Sequence, residues 1–396
     1  MNILFVTPDY PKRGQPTTGF PNYLYRVSLS LIQMGHKPMI LAGGAWDDHR
    51  VERGIEIWTV RMRLDTVYTE LKSPTIKYAL KALEISYSIN HKIKELLGRN
   101  HIDIIQFTSL YGTALFYGQR MPAVLRLSSY AKTAYASYQT YSRTAVAVMS
   151  FIERLSSARC NAVFAPCKTN ALVFGKDCKR NVKVIETPFV NDVQEYDNSY
   201  VDTYLKGKKY VLYFGSFYVE KGVLVIAEIL EKFLKENPDY YFVFIGDAWQ
   251  INGQSAAALL RKKAGACIDR VIINKALPHK QLYPVIKYSQ FVVLPSLMEN
   301  LSNACIEAMY FEKLVIGTDK ASFEQLITHG RNGLLCRIND SQDLLQKMQR
   351  VISMEAFEKK QMEKRAKQRI DRLRPEYAVK RLLKLYEYVI DHYCDK

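Results

Sequence analysis

The chain has 396 residues, of which 48% are hydrophobic and 24% are charged, and its formal net charge is +17. The length predicts two domains, and the composition excludes a disordered, collagen-like or coiled-coil chain. The excess of basic residues favours a phosphate ligand or a membrane surface, whereas no zinc-finger spacing, RNP-like aromatic motif or homeodomain pattern supports binding to nucleic acid.

The first half of the chain alternates between short apolar runs and helical patterns. Ile3–Val6 predicts a buried parallel strand, Pro21–Met34 a helix and Pro38–Leu41 a second strand, which together form a β-loop-α-β unit. A long helix is predicted at Thr75–Leu97. Further strands are predicted at Ile55–Val60, Ile102–Phe107, Ala123–Leu127, Ala162–Ala165 and Val182–Ile185.

The pattern starts again after a polar stretch at 191–209. A helix is predicted at Val223–Glu236, and strands at Tyr210–Phe214, Tyr241–Ile245, Val271–Ile273, Phe291–Leu294, Leu314–Ile316 and Gly333–Leu335. We therefore predict an N-terminal domain at 1–190 and a C-terminal domain at 191–375, with a last helix at 376–396 that packs back on the first domain. Each domain should be α/β with a mostly parallel sheet, and such sheets bind ligands at the carboxyl ends of their strands.

Cysteine spacing and the N-terminus bear on metal binding and location. The seven cysteines contain no C-x-x-C pair, so no metal site is expected and reduced thiols are predicted. Met1–Thr7 has no basic start and no long apolar core, so it does not resemble a signal peptide. No apolar run reaches the roughly 18 residues that span a bilayer. We expect a cytoplasmic protein, and peripheral contact with the inner membrane face stays open.

Two glutamates lie around a predicted helix start in the second half. The strand Phe291–Leu294 runs into a Pro-Ser loop that contains Glu299, and a helix should begin near Ser302 or Asn303, which are both good N-caps. Glu307 then lies about one turn inside the helix. Two acidic groups beside a helix N-terminus can bind hydroxyl groups at both ends of a nucleotide sugar, while the backbone N–H groups favour the phosphates between them. Two unrelated structural glutamates are the alternative.

The surrounding residues resemble a known family. Leu294–Asp319, with its Glu-Ala-Met and Val-Ile-Gly-Thr-Asp motifs, is similar to the donor-binding segment of retaining family-four glycosyltransferases, in which seven residues separate two glutamates as they do here. The resemblance implies the GT-B fold, in which two Rossmann-like domains face each other across a cleft. It also implies that Glu299 contacts the donor sugar and Glu307 the nucleotide ribose. Asn300 and Leu301 belong to the same donor-binding segment.

Two other loops of the second half resemble the same family. Leu212–Gly222 is similar to its second landmark, which implies that Gly215 and Ser216 approach the donor and that Lys221 neutralises the leaving diphosphate. Relatives often have arginine where Ser216 stands, so Lys221 must carry more of this charge, or a basic residue elsewhere compensates. Gly246 and Asp247 match a family Gly-Asp or Gly-Gly and are expected near the donor.

The first half departs further from the family. Gly19 matches the first of two paired glycines, which implies that its backbone approaches the acceptor and the phosphates of the donor, so Gly19 is a candidate donor-binding residue. Phe20 replaces the second glycine and could line an acceptor pocket, although an ordinary loop before a helix is the alternative. Arg126, at a strand end, could bind phosphate or acceptor, or be a solvated arginine. Relatives often have histidines at two nearby strands, where this chain has Gln106 and Thr108, then Ser128 and Ser129. Their loss suggests an altered sugar preference or weaker catalysis.

The resemblance implies a metal-independent glycosyltransferase with no tightly bound cofactor. It would use a UDP- or GDP-sugar and a saccharide or lipid-linked acceptor in cell-surface polysaccharide or glycolipid synthesis. A catalytically weakened relative that binds or partners an active transferase is the alternative. Aromatic and basic residues at 68–87 and 130–141 could touch an anionic membrane, or they could be helix core with a solvated face. No expectation is made about the oligomeric state.

Overall fold

The structure is a computed structural model that describes residues 1–10, 20–64, 68, 70–134, 141–191, 193–247, 250–251 and 253–393. The chain divides into two compact units. The first is Met1–Val190 together with Leu373–Lys396, and the second is Asn191–Arg372. Each unit has its own main β-sheet and its own hydrophobic core.

Eight strands form the sheet of the first unit. Their bounds are Asn2–Thr7 (β1), Lys37–Gly44 (β2), Asp48–Glu52 (β3), Ile55–Arg61 (β4), Ile104–Thr108 (β5), Ala123–Arg126 (β6), Ala162–Ala165 (β7) and Val182–Val184 (β8). They lie in the order β3-β4-β2-β1-β5-β6-β7-β8. Every neighbouring pair is parallel except β3 with β4, so the predicted mostly parallel sheet is confirmed.

Helices cover both faces of this sheet. They are Phe20–Gln33 (α1), Pro74–Leu97 (α2), Ala131–Ala134 (α3), Arg143–Ala158 (α4) and Lys168–Cys178 (α5). The side chains of β1 alternate between the faces, because Ile3 and Phe5 pack with residues of α1, whereas Leu4 and Val6 pack with residues of α2. All four are fully buried, as a central parallel strand requires.

The edge strand β3 was not predicted. Its residues alternate between half-buried and exposed, so the sequence has no apolar run at this place. It pairs with β4 across the two-residue turn Arg53–Gly54, where φ is 51° and 82°. Two positive φ angles are typical of the turns that join tight antiparallel hairpins.

Six parallel strands form the main sheet of the second unit. The strands of this unit are Lys209–Phe214 (β9), Tyr240–Ile245 (β10), Gln250–Ile251 (β11), Gln254–Ser255 (β12), Val271–Asn274 (β13), Phe291–Val293 (β14), Val315–Thr318 (β15) and Leu334–Cys336 (β16). The main sheet has the order β13-β10-β9-β14-β15-β16, and β11 with β12 forms a separate hairpin. Chain order therefore reverses beside β9, which has β10 on one side and β14 on the other.

The helices of the second unit complete its core. They are Val223–Glu236 (α6), Ala256–Ala264 (α7), His279–Tyr288 (α8), Asn303–Tyr310 (α9), Ser341–Ser353 (α10) and Ala356–Asp371 (α11). α6 packs against the sheet through Ile226, Leu230 and Phe233, which are 0% exposed. These residues recur at intervals of four and three, so they form one apolar face, and the helix buries that face against the sheet.

The last helix, Pro375–Asp391 (α12), belongs to the first unit. Pro375 is at its N-terminus, where the missing N–H of proline costs nothing. Val379, Leu382 and Tyr386 pack in the same cluster as β1 and α1. Within the described ranges, no helix of the chain is both long and apolar enough to cross a bilayer.

Glu153 is a buried carboxylic acid on α4. It is 2% exposed, and its Oε2 accepts a hydrogen bond from the N–H of Ala131 at 2.9 Å. Burial raises the pKa of its carboxyl to about 8, although the bond to Ala131 acts in the opposite direction. The folded chain therefore holds this proton at neutral pH, whereas the unfolded chain releases it.

We predict that this proton makes stability depend on pH. The free energy of unfolding should fall as pH rises from the unfolded pKa to the raised folded pKa, by up to about 5 kcal/mol. Glu153→Gln keeps an acceptor for the N–H of Ala131 and removes the titrating proton. The free energy of unfolding of this variant should therefore fall less over the same pH range than that of the unmodified protein. Urea unfolding of both proteins at the two ends of this pH window measures the difference. An equal fall in both proteins would contradict the assignment.

Candidate functional site

The loops after β9 and β14 meet at the carboxyl end of the second sheet. Because chain order reverses beside β9, these two loops lie at a topological switch point, which is where open parallel sheets bind ligands. The first loop ends in a short helical turn at Val219–Lys221, and the second carries Glu299. Residues 78 apart in sequence are thus brought into contact.

Lys221 and Glu299 form an ion pair. Lys221 Nζ lies 2.7 Å from Glu299 Oε1, and Ser296 Oγ donates a hydrogen bond to the same oxygen at 2.9 Å. The side chain of Glu299 is 11% exposed and that of Lys221 is 37% exposed. The carboxylate is therefore held by two donors in a place that water reaches poorly, where charge interactions are stronger than at an open surface.

Backbone packing fixes the two loops against each other. The N–H of Leu297 donates to the carbonyl of Glu220 at 2.8 Å. Gly222 has a φ of 75°, and a Cβ at this position would lie 1.9 Å from the carbonyl oxygen of Pro295. Only glycine allows this approach, so Gly222 sets the distance between the loop that carries Lys221 and the loop that carries Glu299.

The loop after β10 joins this arrangement. A Cβ on Gly246 would lie 1.8 Å from the carbonyl oxygen of Gly215, and the N–H of Phe217 donates to the carbonyl of Asp247 at 3.0 Å. Nothing lies within 4 Å of a Cβ built on Gly215, so its backbone borders open space. Ser216 is half-buried beside it. The structure thus places Gly215, Ser216, Gly246 and Asp247 at the same end of the sheet as Lys221.

Glu307 lies on the buried side of α9. This helix begins after Ser302, whose side chain caps it as the sequence predicts. Glu307 is 6% exposed, and its Oε1 lies 3.7 Å from Nε2 of His279. Asn300 and Leu301 are half-buried in the bend before the cap. The two glutamates therefore lie on either side of the start of α9.

Sequence reasoning missed two polar partners in this site, Ser296 and His279. His279 begins α8, and its ring stacks on Tyr283 with centroids 5.0 Å apart. No spacing in the sequence links His279 to Glu307, because their contact depends on how α8 and α9 pack. Among the described residues, no group of three or more His, Cys, Asp and Glu side chains could hold a metal ion.

The candidate site residues from the first half of the chain belong to the first unit. Gly19 falls outside the described residues. Phe20 begins α1, and its ring stacks on Tyr23 with centroids 5.6 Å apart. Arg126 is 5% exposed, and the carbon of its guanidinium lies 3.8 Å from the centre of the Tyr23 ring. The alternative of a solvated arginine is therefore wrong, and burial lowers the pKa of the guanidinium.

The positions where relatives have histidine are filled by packed polar side chains. Gln106 is 1% exposed and accepts a hydrogen bond from the hydroxyl of Tyr386 on α12 at 2.5 Å. Thr108 and Ser128 are joined through their hydroxyl groups at 2.6 Å. Each of these three side chains has a hydrogen-bond partner inside the first unit, which the sequence did not indicate.

Comparison with known proteins finds a family match within the second unit. Residues 202–369 match the family described as glycosyl transferases group 1. This match lies wholly within the second unit, Asn191–Arg372. The matched range contains β9, α9 and both members of the Lys221–Glu299 pair, so the contact described above lies within the group 1 segment.

Two curated relatives are similar over part of the chain. The α-D-kanosaminyltransferase of Streptomyces kanamyceticus is 30% identical over 133 residues, which is 33% of each chain. The GDP-mannose:cellobiosyl-diphosphopolyprenol α-mannosyltransferase of Xanthomonas campestris is 26% identical over 125 residues, or 32% of each chain. The similarity therefore spans about a third of the length of these relatives.

A solved structure covers more of the chain. Sucrose-phosphate synthase from Thermosynechococcus elongatus has a TM-score of 0.77 and 16% identity, over 99% of this chain and 100% of that one. At this identity the likeness shows the fold alone. The predicted GT-B fold class, with two Rossmann-like domains of mostly parallel sheets, is confirmed.

We predict that Gly222→Ala destabilises the group 1 segment more than Gly207→Ala. The two glycines have nearly equal φ angles of 75° and 74°, so both variants meet the same backbone strain of about 1 kcal/mol. Only Gly222 has an obstacle, the Pro295 carbonyl, and this overlap should cost about 1–3 kcal/mol more. Urea unfolding of both variants gives the difference, and equal losses would contradict the packing of the two loops.

Proposed function

We propose that this protein is a retaining glycosyltransferase that moves a sugar from a UDP- or GDP-sugar to a saccharide or lipid-linked acceptor. The observation that carries the proposal is the Lys221–Glu299 pair at the switch point of the group 1 segment. The name of the Xanthomonas campestris relative gives that enzyme a GDP-mannose donor and a diphosphopolyprenol-linked acceptor. That supports the same donor and acceptor classes here, in polysaccharide or glycolipid synthesis.

Lys221 acts on the leaving group in this proposal. When the bond between the sugar carbon and the diphosphate oxygen breaks, the electron pair stays on the oxygen, and the ammonium group stabilises the negative charge. The acceptor hydroxyl forms the new bond on the same face of the sugar, and its proton passes to the leaving diphosphate. The reaction as proposed needs no protein nucleophile, and Lys221 supplies the positive charge without a metal ion or a bound cofactor.

The two glutamates bind the donor in this proposal. Glu299 accepts hydrogen bonds from hydroxyl groups of the donor sugar, and Glu307 accepts them from the ribose. Gly215, Ser216, Gly246 and Asp247, with Asn300 and Leu301, border the donor, and the open space at Gly215 leaves room for its phosphates.

Arg126 is proposed to bind an anionic group on the acceptor side, with Phe20 beside it. Its Nη1 donates to Ser128 Oγ at 3.2 Å, and its Nη2 donates to Thr187 Oγ1 at 3.1 Å. Both partners are neutral, and no carboxylate forms an ion pair with Arg126 among the described residues. A buried cation without an opposite charge is costly, and a phosphate or carboxylate on the acceptor would offset that cost. Gly19 remains a predicted donor-binding residue.

A catalytically weakened binding or partner protein is the second candidate. Two observations favour it: Ser216 carries no charge where relatives often have arginine, and Gln106 is packed inside the first unit where relatives often have histidine. The retained Lys221–Glu299 pair favours the enzyme. The two candidates differ in whether a bound nucleotide sugar is turned over.

We predict that Lys221→Met lowers the rate of nucleotide release from UDP- or GDP-sugars by about 100-fold to 1,000-fold, the usual loss when one transition-state charge contact is removed. Glu220→Gln is the matched control, because it changes only the neighbouring side chain and keeps the backbone bond to Leu297. Chromatography of the released nucleotide measures both rates.

Donor binding separates the two candidate functions. Glu299→Gln should weaken binding of a nucleotide sugar more than binding of the free nucleotide, whereas Glu307→Gln should weaken both, each by about 10-fold to 100-fold. Calorimetry measures these affinities. Binding without turnover in the unmodified protein would favour the catalytically weakened relative, and the absence of both binding and turnover with UDP- and GDP-sugars would contradict the proposed enzyme.

We predict that inorganic phosphate raises the unfolding temperature through Arg126. The measurement uses a Lys221→Met background, so that phosphate at the donor loop does not contribute. The increase should persist partly in Arg126→Lys, which keeps the charge, and should vanish in Arg126→Gln. An increase of the same size in Arg126→Gln would show that Arg126 does not bind the anion.

A further inference from the structure

α2 is apolar on two opposite faces. Ile85, Ile89 and Ile93 are buried against the sheet of the first unit. On the other side, Ile76 is 53% exposed and Tyr87 is 65% exposed. A surface helix ordinarily turns polar residues to water. The outward face of α2 therefore requires an explanation that packing within the described chain does not provide.

The outward apolar residues form one continuous stripe. Ile76, Leu80, Leu83 and Tyr87 follow one another at intervals of four, three and four residues, so they share one face over about 16 Å of helix. The ring of Phe116, which is 48% exposed, lies edge-on to Tyr87 with centroids 6.3 Å apart and extends the stripe.

The outward face of α2 becomes polar toward the C-terminal end of the helix. On the face that carries the stripe, the next residues are His91 and Lys94, and both are exposed. His91 and Lys94 are the kind of polar residue expected along the whole of a face that is exposed to water. The apolar character is thus confined to about the first four turns, which follow the N-cap Ser73.

α4, which packs beside α2, presents a similar surface. Phe151 is 56% exposed and Leu155 is 41% exposed. Arg143 and Arg154 are exposed on the same helix, and its single acidic residue, Glu153, is buried. The outward side of α4 therefore combines apolar and basic side chains without an acidic one.

The charges around the stripe are mostly positive. Arg63, Lys72 and Lys77 are exposed at its margins. Glu84 lies beside it, and its carboxylate accepts hydrogen bonds from the backbone N–H of Leu64 and the hydroxyl of Tyr68. Exposed apolar side chains with basic residues at their margins fit a surface that is apolar inside and negatively charged outside.

We propose that the outward faces of α2 and α4 dock this protein on an anionic lipid bilayer. Leu80, Leu83 and Phe151 enter the boundary between headgroups and acyl chains, Tyr87 lies at the headgroups, and the lysines and arginines contact the anionic lipids. Lys72, Lys77 and Tyr87 of this surface lie in the range 68–87 that the sequence suggested, whereas Tyr68 and Tyr130 at the starts of the two suggested ranges are buried, at 3% and 1% exposed. Residues 135–140 of the second range lie outside the described residues. The docking does not depend on the proposed donor or acceptor chemistry.

Vesicle flotation tests the proposal with the full chain. We expect the protein to bind vesicles of phosphatidylcholine and phosphatidylglycerol, and to bind pure phosphatidylcholine at least tenfold more weakly. Leu80→Ser/Leu83→Ser should reduce binding to the anionic vesicles at least tenfold. Lys72→Gln/Lys77→Gln should reduce it severalfold and make it less sensitive to salt.

Leu172→Ser/Phe357→Ser is the matched control. It removes the same number of exposed large apolar side chains, 74% and 76% exposed, from α5 and α11. The control should bind vesicles like the unmodified protein, and far-ultraviolet circular dichroism should show that all variants are folded. Equal binding by the stripe and control variants would overturn the proposal, as would no binding by the unmodified protein. A dimer in light scattering that only the stripe variant dissociates, without vesicle binding, would assign the stripe to a second copy instead.

Discussion

The approach of Gly222 to the carbonyl of Pro295 is the constraint on which the candidate donor site depends. Lys221 precedes this glycine, and Glu299 follows this proline by four residues. Any larger residue at position 222 would push the two loops apart, because its Cβ would overlap the carbonyl. The 2.7 Å distance between the ammonium and the carboxylate is thus set by backbone packing as much as by charge attraction.

The two charged groups of the ion pair can each be bound by a different part of a nucleotide sugar. Lys221 neutralises Glu299, and Ser296 adds a second donor to the same carboxylate oxygen. A diphosphate that approaches Lys221 competes with Glu299 for the ammonium, while sugar hydroxyl groups can replace the ammonium at the carboxylate. One donor molecule can therefore satisfy both side chains at once, which neither a free phosphate nor a free sugar would do. The proposed function therefore predicts tighter binding of the intact nucleotide sugar than of either part alone.

The two units use the same α/β construction and differ in what the strand ends hold. In the second unit, charged and small residues meet beside β9. In the first unit, the corresponding strand ends hold Arg126 with neutral partners, and Gln106 is bonded to Tyr386 of α12. The last helix of the chain thus completes the interior of the first unit. The apolar stripe on α2 lies outside that interior, so it can serve a partner without disturbing the fold.

The order of most strands and helices and the capped start of α9 could be predicted from sequence, because apolar periodicity and capping residues are local properties. Motif spacing likewise predicted Lys221 and Glu299 in the loops after two strands and Glu307 inside a helix, whereas their roles toward a donor stay predictions. The edge strand β3 could not be predicted, because its residues are only half-buried or exposed and give no apolar pattern. It is a strand because it hydrogen-bonds to β4. Only the tertiary structure decided that Lys221 touches Glu299, that His279 lies beside Glu307, that Arg126 is buried and that Ile76, Leu80 and Leu83 face outward. Each of these depends on which strands become neighbours and which helix face meets the sheet, and those are properties of distant parts of the chain.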